Sequence, residues 1–244
     1  MKQDLIQKCK ILLIAYKDEK LGQTIMPEDT HPVFKNKEER LSYFTLPMAL
    51  NYQRNSYTLW ESALKTWNDP ETQCVFDIKW AAQASEEELR EKLLKHKVAL
   101  QPNKHVQTWQ TISKTIHENW NSVSGVFEFI DNDFLKLKQI FQLDNKRGLP
   151  YISGPKIFNY WSFIISTYGE ISLKNRDFIS IAADTHITKC SVKLGVITQE
   201  ESETLTKDEI ATRWKDLLDG SGIDPIDMHS PLWFWSHNGF IFGL

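Results

Sequence analysis

Cysteine is scarce in this chain of 244 residues: Cys9, Cys74 and Cys190 stand far apart. That spacing gives neither a disulfide framework nor the clustered thiolates that hold zinc or an iron–sulfur cluster, so no metal and no other cofactor is expected. Long apolar runs are missing too. Ile11 to Tyr16 comes nearest, yet it is too short to span a bilayer and lies between charged stretches without a cleavage-site pattern. No membrane partner and a cytoplasmic location are therefore expected. Basic excess is absent as well, with 29 Lys and Arg against 32 Asp and Glu for a net charge of −3. This argues against a protein that coats nucleic acid, because non-specific affinity comes mainly from neutralising phosphates. There is no internal repeat and no low-complexity tract. With 41% hydrophobic and 25% charged residues, the composition is that of a globular chain long enough to bury a substantial core.

What is present is helical periodicity. Apolar residues recur at helical spacing through long segments, few stretches alternate with the two-residue period of strands, and an all-α fold follows. Ser85, with Glu88 three residues on, reads as a helix start, and Thr206 with Glu209 repeats the signal. Pro, Gly, Asn or Asp interrupt the pattern at 68–70, 101–103, 121–125, 144–154, 169–181 and 219–225.

The break at 144–154 leads into the most informative run, Leu149 to Phe158. The chain turns at Pro150, passes Ser153 and Gly154, and meets Pro155, which fits the first position of a helix. Lys156 then lies in the first helical turn, and Phe158, Trp161, Phe163, Ile164 and Ile165 supply an apolar face to anchor it. The positive end of the helix dipole and partial burial both disfavour a charged amine, and a neutral amine can attack. Further on, Asp184 precedes the amphipathic run Thr185, His186, Ile187, Cys190, Val192, Leu194, where an Asp is a good N-cap. N-capping and a solvated lysine are the plain accounts of each residue alone; together they suggest chemistry.

Gly154-Pro155-Lys156, followed at a distance by Asp184-Thr185-His186, resembles the helix-hairpin-helix-GPD superfamily of DNA glycosylases. The usual turn with two glycines is Ile152-Ser153-Gly154 here. The long segment between Lys156 and Asp184, the run Lys156 to Trp161 and the late Gly222-Ile-Asp-Pro-Ile226 are most similar to the archaeal 8-oxoguanine DNA glycosylase branch. The resemblance implies a two-lobed helix-hairpin-helix fold that binds damaged double-stranded DNA in the cleft between lobes. Mapped here, residues 44–168 make one lobe, ending in the hairpin and the Lys156 helix. Residues 1–43 with 169–244 make the other, carrying Asp184. It further implies base-excision repair by a monomer, nucleoid-associated in a prokaryote, with Lys156 and Asp184 catalytic and release of 8-oxoguanine followed by strand cleavage through a lysine Schiff base.

Such an enzyme must extrude a nucleotide and hold it between aromatic or apolar walls. Trp109, Phe158, Trp161, Trp233 and Trp235 are the candidates, and Asp227, His229 and Trp233 lie in a segment whose counterpart lines the pocket in the resembled branch. Asn51 and Gln53 carry amides able to pair with an oxidised guanine edge, although a helix cap or a buried network explains them equally. For DNA contact the candidates are Ser153, Gly154, Pro155, Lys146, Arg147 and His186, since turn N–H groups beside basic residues can hold a phosphate. Lys136 and Lys138 lead into this hairpin. A second basic cluster, Lys92, Lys95, His96, Lys97, Lys104 and His105, fits a solvated helix face as well as a DNA contact. Two other functions stay open: an N-glycosidase acting on a free nucleoside or nucleotide, and a non-catalytic DNA-binding member of the fold.

Overall fold

The computed structural model describes residues 2–244, and among them every regular element is helical. In chain order these are α1 (Lys2–Lys17), α2 (Lys37–Thr45), α3 (Ser56–Asn68), α4 (Ile78–Gln83), α5 (Glu86–Lys95), α6 (Pro102–Trp120), α7 (Val123–Phe129), α8 (Phe134–Gln139), α9 (Pro155–Thr167), α10 (Thr185–Leu194), α11 (Gln199–Thr204), α12 (Lys207–Leu218) and α13 (His229–His237). Extended pairing is confined to an isolated bridge between Asp133 and Lys174. The expected all-α class is what the chain adopts.

The local signals explain where helices begin. Ser85 caps α5 by accepting the Glu88 N–H, and Thr206 with Glu209 closes a full capping box on α12. Asn36, Asn55, Asp77, Ser122 and Asp133 cap α2, α3, α4, α7 and α8 through their side chains. Each such cap contributes about 1 kcal/mol by satisfying N–H groups the helix cannot.

Two compact units result, one made of Met26–Lys174 and the other of Met1–Ile25 with Asn175–Leu244. The divisions fall at 25/26 and 174/175, against the 43/44 and 168/169 expected. In the first unit, α6 lays Val106, Trp109, Ile112 and Ile116 against its neighbours α4, α5 and α7. Around it lies an aromatic core: Tyr43, Phe44, Trp60, Trp67, Phe76 and Trp109 in one group, and Phe127, Phe134, Phe141, Phe158 and Trp161 in another. The buried indoles keep partners, since Trp109 Nε1 donates to the Val75 carbonyl at 2.9 Å and Trp161 Nε1 to Thr45 Oγ1 at 3.1 Å.

The second unit buries Cys9 and Leu12 of α1, Ile187 and Cys190 of α10, Ile210 and Trp214 of α12, and Leu232 and Trp235 of α13 in one cluster. Trp214 Nε1 donates to Ser191 Oγ at 2.8 Å, joining α12 to α10. The two chain segments are stitched by Asn238, whose amide donates to the Leu21 carbonyl at 2.8 Å and the Gln23 carbonyl at 2.9 Å. No helix among the described residues is long and apolar enough to cross a membrane.

Candidate functional site

Lys156 is reached through a helical hairpin. The first helix is α8, prolonged by a single π turn over Ile140–Asp144; a turn at 145–154 follows, and α9 begins at Pro155, as expected. Gly154 is the N-cap, Pro155 the first helical residue and Lys156 the second. Phe158 and Trp161 are fully buried, with Trp161 stacked on Phe141 at 4.8 Å, so the helix start is held by the core. Lys156 itself is exposed. The expected partial burial is therefore missing, because the buried face of α9 runs through Phe158, Trp161 and Ile165.

The turn is internally bonded. Ile152, Ser153 and Gly154 donate their N–H groups to the carbonyls of Pro150, Leu149 and Tyr151 at 2.7, 3.1 and 3.0 Å. These donors are consumed, which corrects the expectation that the N–H groups of Ser153 and Gly154 hold a phosphate. What the hairpin presents at its surface is charge: Lys136, Lys138, Lys146 and Arg147 are all exposed along it. Gly154 has φ −66°, which any residue adopts. The left-handed position belongs instead to Tyr151, with φ +62°. A non-glycine residue there costs about 1–2 kcal/mol.

That cost is offset by a clamp the sequence did not reveal. Tyr151 stacks on Tyr52 with ring centroids 4.0 Å apart and planes 12° from parallel. The Lys104 ammonium sits 5.1 Å from the Tyr52 ring and 5.0 Å from the Tyr151 ring. Hydrogen bonding with Lys104 lowers the Tyr151 phenol, while burial raises Tyr52. Gly148 completes the docking: a Cβ there would collide with the Thr115 side chain of α6, so only glycine lets the hairpin approach that helix. Two aromatics about a hundred residues apart in sequence carry no local signal of pairing, which is why Tyr52 and Tyr151 were not foreseen.

Asp184 belongs to the other unit and is the N-cap of α10, its Oδ1 accepting the Ile187 N–H at 2.9 Å. It is half-buried. Near it, His186 Nδ1 lies 3.0 Å from Ser236 Oγ, and burial lowers the His186 imidazole against the opposing pull of the Asp184 charge. The His186 ring lies 5.0 Å from Trp233, and Trp233 stacks on the exposed His237 at 4.5 Å and 15°. Asp184, His186, Trp233 and His237 thus gather at one end of the α10–α13 pair. Trp233 keeps part of its surface open, whereas Trp235 is buried and bonded to the Phe242 carbonyl.

Other expected pocket residues are differently placed. Trp109 and Phe158 have no exposed surface, so neither has a face on which a base could stack; both are core residues, as is Trp161. Asp227 is held by Arg176 at 2.6 Å, with Asp224 on the same guanidinium at 2.5 Å. His229 is buried at the start of α13. Asn51 is tied locally, its Oδ1 accepting from Ser56 Oγ at 2.8 Å, which is the buried-network account. Gln53 is exposed with φ +51° and remains open to a ligand.

In the second basic cluster, Lys95 pairs with Asp69 and Glu71, His96 with Asp69, and Lys92 donates to the Glu71 carbonyl. His105 is buried, accepts the Leu100 N–H at 3.0 Å, and is pushed down to about 4 by that burial and the nearby Arg54 and Lys104 charges. Most of this cluster therefore serves local structure. No group of three or more His, Cys, Asp or Glu side chains is placed to hold a metal ion among the described residues. Compared with known proteins, the chain matches no family model, no curated protein and no solved structure.

Proposed function

We propose that this protein is a DNA glycosylase with associated lyase activity, in which Lys156 attacks the sugar of an extruded damaged nucleotide. The observation that carries the reading is an exposed lysine on the first turn of a helix whose next turn is locked in the core and whose entry turn is closed by backbone hydrogen bonds from Ile152, Ser153 and Gly154. An exposed amine carried on an anchored helix start beside a basic hairpin suits a nucleophile that must meet DNA. The substrate class is duplex DNA carrying a damaged base, oxidised guanine first among the candidates on the strength of the resemblance. Bound as a monomer, the protein would act in base-excision repair.

In this mechanism the Lys156 nitrogen forms a bond to C1′ while the bond from C1′ to the base breaks, and the base leaves with the electron pair. Asp184 stabilises the positive charge that develops on the sugar. Ring opening gives a Schiff base, and elimination then cuts the strand on the 3′ side of the sugar. Trp233, partly open beside His186, is the best-placed residue of its unit to stack on a base.

Borohydride trapping on duplex carrying 8-oxoguanine tests the proposal. Wild type should give a covalent adduct and Lys156→Gln none; an adduct that survives the substitution refutes the assignment. Asp184→Asn preserves the cap, because Asn serves as well as Asp there. It should fold normally and release the base at least about 100-fold more slowly, and an unchanged single-turnover rate would leave Asp184 as a cap alone.

A further inference from the structure

Tyr52 and Tyr151 meet more closely than aromatic side chains usually do: their ring centroids are 4.0 Å apart, against roughly 4.5–7 Å for most ring pairs. The planes are 12° from parallel. Each ring is carried on a tight turn with a residue at positive φ, Gln53 at +51° beside Tyr52 and Tyr151 itself at +62°. Helix α6 holds the pair from a third side, with the His105 ring in edge contact with Tyr52 at 5.6 Å and the Lys104 ammonium set over both rings.

The two hydroxyls lie side by side. Hydrogen bonding with Lys104, and next the Tyr52 hydroxyl, lowers the Tyr151 phenol; burial, and next the Tyr151 hydroxyl, raises Tyr52. Near-parallel rings whose oxygens are neighbours point the same way, so the Cε carbons flanking one oxygen face those flanking the other. These carbons share the unpaired spin of a phenoxyl radical. The Tyr52 oxygen is buried and both side chains are half-buried, so each ring has the other as its nearest coupling partner, while an electron can still leave without contact.

We propose that Tyr52 and Tyr151 form an oxidative modification site, at which a one-electron oxidant, a high-potential metal complex or an oxygen- or sulfur-centred radical, joins the two rings through a carbon–carbon bond between Cε atoms. Each phenol gives one electron to the oxidant and one proton to water, which leaves two phenoxyl radicals face to face. They combine in one C–C bond. Each coupled carbon then loses its hydrogen as a proton and each oxygen takes a proton back, so both hydroxyls survive. In sum two C–H bonds break and one C–C bond forms, and two electrons and two protons depart. The link ties the loop 51–55 to the turn that opens α9, and it needs no chemistry at Lys156.

Illumination of the dilute native protein with tris(bipyridine)ruthenium(II) and persulfate tests the site. The monomer should become two hydrogens lighter and gain the blue fluorescence of a biphenol, and digestion should release a linked peptide pair carrying residues 52 and 151. Tyr52→Phe and Tyr151→Phe keep both rings but lack one hydroxyl, and neither should give that pair. Concentrated urea should abolish it in wild type, because the contact exists only in the folded chain. A native wild type without the linked pair, an equal yield after unfolding, or the pair formed by either Phe variant overturns the proposal. Melting temperatures show whether each variant is folded, and if one is not, the other carries the comparison.

Discussion

Replacing Glu28 by Gln should make the protein more stable at neutral pH, the reverse of what removing a bonded buried group ordinarily does. The amide keeps the shape and an oxygen for Trp60 Nε1 and the Tyr160 hydroxyl, 2.7 and 3.1 Å away, but carries no charge. The folded chain holds the Glu28 carboxyl at about 7, against 4.5 for a free glutamate. Below 4.5 both states are protonated and the group costs nothing. Between 4.5 and about 7 the unfolded state ionises while the folded state stays protonated, so stability falls as pH rises and levels off above the folded value. At about 1.4 kcal/mol per pH unit the loss amounts to roughly 3 kcal/mol. Glu28→Gln lacks it. In a chain of this size each 1 kcal/mol moves the melting temperature by about 2–4 °C, so the variant should gain roughly 6–12 °C on wild type between acid and neutral pH. Urea denaturation of both proteins across this range supplies the difference curve, in which every other titrating group cancels. A difference that is flat with pH refutes the claim that this carboxyl is held protonated by burial.

Two further outcomes test the hairpin and the core. Tyr151→Ala loses the ring stack and the Lys104 contact while keeping a strained backbone, and should cost about 1–2 kcal/mol. Tyr151→Gly relieves the φ +62° strain and should be the more stable of the two by about 1 kcal/mol in urea denaturation; the opposite order refutes the strain argument. Cys9 and Cys190 are buried, with thiols pushed up to about 12 by burial, whereas Cys74 is half-exposed. An aromatic disulfide reagent at pH 8 should therefore label Cys74 alone in the native protein and all three only in denaturant, because the thiolate is what reacts. Rapid labelling of a second native thiol refutes the burial of α1 or α10.

Much of the fold was legible because helix formation is local. Thr206 with Glu209, Ser85, Asp184 and Pro155 each act within one turn of their own position, so a reader of the chain can place the starts of α12, α5, α10 and α9. The candidate site was legible to the same extent. Lys156 and Asp184 take the helix-start positions their neighbours dictate. Burial was the weak point: Trp109 and Phe158 look like pocket aromatics from composition, but a ring is as suited to a core as to a ligand, and the packing of α6 and α9 gave both to the core.

The sequence by itself determined the all-helical class, the helix starts and the place of Lys156 one residue after the proline that opens α9. Tertiary structure alone decided the rest. It brought Glu28 beneath Tyr160, laid Tyr52 on Tyr151, and made Gly148 rather than Gly154 the glycine the hairpin requires. The physical reason is range. A cap or a helical stripe is a property of a few consecutive residues, whereas a buried carboxyl or a stacked pair exists only once segments far apart in the chain have met, and nothing in either segment announces the other.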